Sequence, residues 1–444
     1  MDRRTLLAAS AAALAAPAAA RAQAGRSQIV WWHAMTGVLG EEIERLAAGF
    51  NASQAEVEVK PVFKGTYTET LTAAIAAWRA NQAPNLVQVF EVGTGSMLAA
   101  GPATKQIWQL SQEAGVAFEP AAYIPGVRGY YSLTDGRLAS MPFNSSTALM
   151  WYNQDLFEKA GLDPAKPPAT WDELGAAARA IKSKAEGLQA PITTSWFTWI
   201  QMEQYAAMHD QPFATKANGF GGLDTELLFN RPVFAKHLSR LLDWAKEGLF
   251  KYAGRDNTPD PLFPAGQVAI GFGSSAGRAQ IGRDAKFRWA SALLPTDPAV
   301  NPAPVNSIIG GASLWVMTAK ERTAAEYKGA AQFLKYLAQP AVDAAWHQKT
   351  GYVPVTFGGY EESRKQGFYD KAVGADTAIK QLARGSVTDN SRGLRLGRLA
   401  EIRNIVYEEV EKALQGQQSA QQTLDTAVQR GNRVLRDFQK SVGG

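Results

Sequence analysis

Between Ser27 and Phe90 the chain alternates two kinds of apolar periodicity, and this alternation limits the fold more than any other feature. Ser27–Met35 (SQIVWWHAM) reads as a strand. Glu41–Phe50 follows with Ile43, Leu46, Ala47 and Phe50 at helical spacing, and Glu41 with Arg45 forms a supporting i,i+4 pair. Val57–Phe63 alternates as a second strand, and Glu69–Ala80 sets Leu71, Ala74, Ile75 and Trp78 on one helix face. Leu86–Phe90 is a third strand that runs straight into Glu91. The order β-α-β-α-β demands a parallel sheet with helices packed on its faces. In such sheets a ligand crevice lies beyond the carboxyl ends of the strands. His33, Tyr67 and Glu91 all stand at or just past such ends.

A second stretch has the same character. Gln267–Phe272 is a short apolar strand, Gly273-Ser-Ser-Ala-Gly277 is a small-residue turn, and Arg278-Ala-Gln-Ile281 can begin a helix. Strand, glycine-serine turn and helix N-terminus leave backbone N–H groups and hydroxyls able to hold an anion. Taken alone, the pattern is more often a tight βα turn without a ligand, since lone glycine patterns are weak.

The remainder continues the α/β theme. Phe143-Asn-Ser-Ser146 follows Arg137–Pro142, and Thr147–Asn153 reads as a strand leading out, a crossing between lobes. Thr170-Trp-Asp-Glu173 is a capping box whose helix continues through Leu174, Ala178 and Ile181. Trp196 and Trp199 precede an aromatic-rich helix. Phe287–Leu294 is expected to return to the first lobe, and Ile308–Val316 carries Gly310-Gly311 inside an apolar strand, where a backbone or a ligand comes close. Pro340 opens a helix ending at Thr350-Gly351, followed by Tyr352. Two helices close the chain, one with Leu399, Ile402, Val406, Val410 and Ala413 on a face, the other running from Ser419 to Phe438.

The N-terminus has the form of an export signal. Met-Asp-Arg-Arg-Thr-Leu-Leu precedes an Ala/Leu run, and Ala20-Arg21-Ala22 is a small-x-small site, so cleavage is expected after Ala22. Arg3-Arg4 is compatible with the twin-arginine route as well as the general one. No other run approaches the ~18–20 apolar residues of a membrane span; Ile308–Thr318 is far too short. The net charge of +5 argues for neither nucleic acid nor a membrane surface. With no cysteine, disulfides, thiolate metal sites and a cysteine nucleophile are excluded. At 444 residues, two lobes are expected rather than one. Their bounds are 23–144 plus 287–338 for the N-terminal lobe, and 145–286 plus 339–444 for the C-terminal one.

An exported serine hydrolase is the enzyme alternative. Gly273-Ser-Ser-Ala-Gly277 formally fits G-x-S-x-G, with Ser275 as nucleophile and Asp297 and His347 in order behind it. Against this, His347 lies mid-helix and no second oxyanion motif stands upstream. His33, His209 and His237 show no metal spacing, and no G-x-x-x-x-G-K-[ST] loop occurs, so any ATPase is a separate subunit.

Several longer segments carry a resemblance: Trp32-His33, Lys64-Gly-Thr-Tyr67, Gln88–Gly93, Pro142–Ser146, Ile308–Met317, Trp346–Tyr352, Gly393–Gly397 with Ile402-Arg403, and Leu424–Val428. Over nearly the whole mature chain the sequence resembles the periplasmic glycerol-3-phosphate-binding proteins of Ugp-type ABC importers. These sit within the larger clan of extracellular solute-binding proteins that includes the maltose binder. The resemblance implies an α/β, two-lobed type II periplasmic binding protein fold, with a ligand cleft between lobes joined by hinge crossings. It implies a monomeric, non-enzymatic receptor without a cofactor, delivering glycerol 3-phosphate or a glycerophosphodiester such as glycerophosphocholine to an inner-membrane permease. By the same resemblance Tyr67, Ser146, Ser274, the backbone of Gly311, Tyr352 and Arg403 would hold the phosphate. Glu91 would take the glycerol hydroxyls, and Trp196 and Trp199 would wall the glycerol side. Ser195 and Phe197 replace the family's small residues around the tryptophans, and Arg278 is an additional cation. An oligosaccharide binder of the same fold is the second reading; it would favour aromatic platforms over an anion cradle.

Overall fold

The computed structural model describes residues 25–372 and 374–442; the expected export signal, residues 1–22, lies outside them. Among the described residues the strands run, in chain order, β1 (Ser27–His33), β2 (Val57–Phe63), β3 (Leu86–Phe90), β4 (Thr104–Lys105), β5 (Met141–Ser146), β6 (Ala148–Asn153), β7 (Ile192–Thr194), β8 (Phe250–Lys251), β9 (Ile270–Ser274), β10 (Trp289–Ala292) and β11 (Gly310–Met317). The chain forms two compact units. The first comprises the residues up to Gln88 with Pro102–Phe118 and Trp315–Leu337; the second comprises Val89–Gly101, Glu119–Leu314 and the chain from Ala338 onward.

The first unit is the β-α-β-α-β arrangement with additions. Its strands follow the order β2-β1-β3-β11-β4. β1 and β2 are parallel from Ser27↔Val57 to His33↔Phe63, β1 and β3 are parallel at Trp31↔Leu86, and the last residues of β11 run antiparallel to β4. β3 is buried along its whole length, as a central strand covered on both faces must be. The helix Gly37–Ser53 buries Ile43, Leu46, Ala47 and Phe50, the four residues its spacing singles out. Helix Ala324–Leu337 supplies Phe333, whose ring lies 5.4 Å from Trp31 and 5.2 Å from Phe50. Arg45 pairs with Glu42 rather than with Glu41, one step nearer along the helix.

The second unit holds a five-stranded sheet of order β10-β6-β9-β7-β8. β9 runs antiparallel to β6 from Ala148↔Ser274 and parallel to β7 from Ile192↔Ile270. β10, expected to return to the first lobe, instead pairs antiparallel with β6 from Trp289↔Asn153 to Ala292↔Met150. The ladder hydrogen bonds of an edge strand decided its place, and a lone apolar run carries no information about which sheet it joins. β5 pairs antiparallel with the first residues of β11, from Gly310↔Ser146 to Leu314↔Met141. Residues 89–101, 119–144 and 287–314 belong to the second unit, where the expected bounds place them in the N-terminal lobe. The expected helices are present here: Trp171–Lys184 begins at a complete Thr170/Glu173 capping box, and Leu399–Leu414 and Ala420–Val442 pack on each other.

Candidate functional site

Eight of the nine expected site residues lie in the second unit; Tyr67 lies in the first. Tyr67 is the first residue of helix Tyr67–Arg79, behind Thr66, which caps Glu69 N–H and is capped in return.

The segment Ser145–Thr147 is the hub of the second unit's candidates. Ser146 pairs with Gly310 and Ser145 with Gly311 across β5 and β11. Val353 N–H donates to the Ser145 carbonyl at 2.8 Å, and Ser275 N–H donates to the Thr147 carbonyl at 2.8 Å. The hydroxyl-bearing segments around Ser146, Ser274 and Tyr352 are thereby tied to one short stretch of backbone. Gly310 and Gly311 are glycines for packing reasons. A Cβ on Gly310 would sit 2.4 Å from the Trp199 ring, and one on Gly311 would sit 1.8 Å from the Asn144 carbonyl oxygen. Ser274 ends β9, and its hydroxyl accepts the Ala276 N–H at 3.2 Å, so the turn is closed on itself before helix Gly277–Asp284 begins. Tyr352 follows the left-handed Gly351 that ends helix Pro340–Thr350, and its ring stacks on Trp346, which stacks on Phe143. Arg278 is directed over the Phe368 ring, with its guanidinium 5.4 Å from the ring centre.

Arg403 has two carboxylate partners. Its Nε and Nη2 donate to the two oxygens of Glu203, both at 2.7 Å, and Nη2 also donates to Glu91 at 2.8 Å. Glu91 and Arg403 are each 5% exposed and Glu203 2%. Burial pushes Glu91 up to about 7, against the opposing pull of Arg403. Burial alone would lower Arg403, but Glu203 and Glu91 together hold it well above arginine's ordinary value, so it stays charged. Tyr131, buried, lies within electrostatic reach of both Glu91 and Tyr352, and burial first, then Glu91, raises its phenol.

Glu203 is the site residue that the sequence reading missed. It lies on Thr198–Gln204, a π-helical segment whose wider turn carries Trp199, Glu203 and Gln204 together. Gln204 donates to the Ile308 carbonyl and accepts from the Ile308 N–H, which ties this segment to the chain leading into β11. A signal was present: Glu203 is the sole acidic or basic side chain, histidine aside, between Ile192 and His209. A carboxylate in so apolar a run needs a cation. Trp199 is buried against Gly310, while Trp196 is half-buried, with φ of 46° and its N–H donated to the Asp256 carbonyl.

The proposed hydrolase triad does not assemble. Asp297 is paired with Arg240, and His347 is bonded to the Tyr352 carbonyl and the Tyr369 hydroxyl. The buried Ser275 hydroxyl has no hydrogen-bond partner. Among the described residues there is no cluster able to hold a metal ion, and no helix is long and apolar enough to cross a membrane.

The second unit gathers hydroxyls and glycine backbone where β5, β9 and β11 meet, and carries a paired arginine on helix Leu399–Leu414. The chain belongs to the bacterial extracellular solute-binding proteins, whose family model matches residues 45–370. That makes it a receptor and not an enzyme. It is 45% identical over 435 residues to the sn-glycerol-3-phosphate-binding periplasmic protein UgpB of Escherichia coli K12, covering 98% of both chains. With the protein of the same description from Pectobacterium atrosepticum it shares 44% over 417 residues, 94% of this chain and 93% of the other. Among solved structures it is similar to UgpB from Mycobacterium tuberculosis in complex with glycerophosphocholine, with a TM-score of 0.78 at 21% identity, covering 94% of this chain and all of that one. The cyclic alpha-maltosyl-1,6-maltose binding protein from Arthrobacter globiformis gives 0.71 at 22%, covering 93% and 100%. At these identities the two structures speak to the fold alone.

The Glu91–Arg403 pair carries a pH prediction. A carboxyl whose folded value is raised from 4.5 to about 7 binds more protons folded than unfolded, so its contribution to stability falls as pH rises through that window. Glu91→Gln removes this dependence. The stability of the native protein relative to Glu91→Gln should therefore decrease between pH 5 and pH 8 in urea unfolding. The opposite slope would mean that pairing with Arg403 outweighs burial.

Proposed function

We propose that this protein is the periplasmic receptor of an ABC importer and captures sn-glycerol 3-phosphate or a glycerophosphodiester. The carrying observation is the 44–45% identity, over almost the full chain, to proteins named for glycerol 3-phosphate binding. The residues suit that ligand. Ser146, Ser274, Tyr352 and the Gly311 backbone offer neutral donors to phosphate oxygens, Arg403 offers charge, and Glu91 can accept from free glycerol hydroxyls. The Tyr131 hydroxyl, Ser145 hydroxyl and Trp199 indole N–H are buried without an acceptor, and buried donors are stabilised by a polar partner. The chain would be exported with cleavage after Ala22, by the twin-arginine or the general route. It would act as a monomer and deliver its ligand to an inner-membrane permease driven by a separate ATPase. A ligand that binds one conformation preferentially shifts the population toward it, which is how docking on the permease would report occupancy.

Calorimetry on the mature protein, refolded to remove carried-over ligand, tests this with glycerol 3-phosphate, glycerophosphocholine and maltose in turn. Binding of either phosphate compound without maltose is expected. Binding of maltose alone would make it an oligosaccharide receptor on the same scaffold.

A further inference from the structure

We propose that Glu203 sets the ligand charge this site prefers, by occupying the Nε–Nη2 edge of Arg403 and so disfavouring a phosphate dianion relative to a monoanionic phosphodiester. The inference rests on the function proposed above and adds a specificity-determining residue to it.

An arginine offered to a phosphate ordinarily presents two parallel N–H groups, the fork that makes guanidinium a match for oxyanions. Here that fork is taken by Glu203, at 2.7 Å on both nitrogens, and Nη2 is shared again with Glu91 at 2.8 Å. None of these bonds uses Nη1, so a ligand meets one nitrogen of Arg403 and no bidentate face. The charge count points the same way. Two carboxylates face one guanidinium, and Asp256 is near enough for Arg403 to lower its carboxyl against the upward push of burial. Arg278, the cation after the Ser274 turn, lies against Phe368. In a buried site such charges are weakly screened, and a ligand of charge −2 feels an extra negative charge about twice as strongly as one of charge −1. Glu203 thus holds Arg403 in place and withholds part of its charge from the ligand.

The test compares Kd for glycerol 3-phosphate and for glycerophosphoglycerol, a diester of net charge −1, at pH 8, where a phosphate monoester is dianionic (second pKa about 6). Glu203→Gln and Glu203→Met both remove the charge and leave Arg403 paired one-to-one with Glu91, so a folded protein is expected from at least one. In these neutral variants the ratio of Kd for the diester to Kd for the monoester should rise about tenfold, equivalent to about 1.4 kcal/mol. Glu203→Asp keeps the charge and should leave the ratio near that of the native protein, whatever it does to both affinities. A purely structural role would weaken both ligands together in all three variants, and an unchanged ratio in the neutral ones overturns the proposal. If the native protein binds neither phosphate compound, the proposed function falls and takes this inference with it. A native protein that binds them, with variants that do not shift the ratio, sinks the role of Glu203 alone.

Discussion

Replacing Arg403 with alanine is expected to destabilise the protein by about 3–5 kcal/mol at pH 8, the cost of leaving buried carboxylates without their cation. The magnitude follows from the site, because Glu91 and Glu203 are at most 5% exposed and both bond to this one guanidinium. Neither can turn to water without unpacking the Thr198–Gln204 segment or the residues after β3. The loss should shrink on acidification. Glu91 already stands at about 7, raised by burial against the pull of Arg403; without that pull it goes higher. A raised folded value means stability gained as pH falls, so by pH 5.5 a good part of the loss should return. Binding of glycerol 3-phosphate should weaken at least ~100-fold, since Nη1 is removed and Glu91 loses its anchor. Arg403→Lys, which keeps the charge without the fork, should retain more stability than alanine. Urea unfolding at the two pH values checks the first claim and calorimetry the second. A loss below about 1 kcal/mol with no pH dependence would mean that both carboxylates reach solvent.

This ion pair marks where sequence reading stops. Features set by neighbours along the chain are legible. Ile43, Leu46, Ala47 and Phe50 are the buried face of their helix, Thr170 and Glu173 form their capping box, and Gly351 ends its helix in the left-handed conformation. Arg403 could be picked out as a binding residue through the resemblance, but nothing local names Glu203, two hundred positions away, as its partner. Glu203 also rides on a π segment, and a search for 3.6-residue periodicity has no template for bonds five residues apart. Strand pairing fails for a related reason. Trp289–Ala292 has the same apolar look wherever it pairs, and only the ladder to β6 assigns it. The serine-glycine turn after β9 was readable as a shape, while its chemistry was open: the same five residues fit an anion cradle and a nucleophile elbow. Asp297 is held by Arg240, and His347 by the Tyr352 carbonyl and the Tyr369 hydroxyl, which excludes the second.

Gly311→Ala should be as damaging as losing Arg403, for a reason that has nothing to do with charge. Gly311 has φ of 88°, which costs a residue with a Cβ about 1–2 kcal/mol on backbone strain alone. The added methyl would also lie 1.8 Å from the Asn144 carbonyl oxygen. That neighbour is backbone, so no rotamer change relieves the contact. Relief requires separating β11 from β5 at Gly311↔Ser145, and this pair holds the hub on which Ser146 and Tyr352 depend. A total loss of about 3–5 kcal/mol is expected, with weakened binding in whatever remains folded. Gly37→Ala separates the two causes. Gly37 has φ of 54°, also left-handed, but nothing lies within 4 Å of where its Cβ would be. It should cost about 1–2 kcal/mol, and ligand affinity should stay as it was. If the two variants shift the urea midpoint equally, the contact with Asn144 is absorbed by small movements and the β5–β11 hub is softer than its hydrogen bonds indicate. If Gly311→Ala is much the worse, the close approach of the two backbones is the constraint, and the glycine is there to permit it.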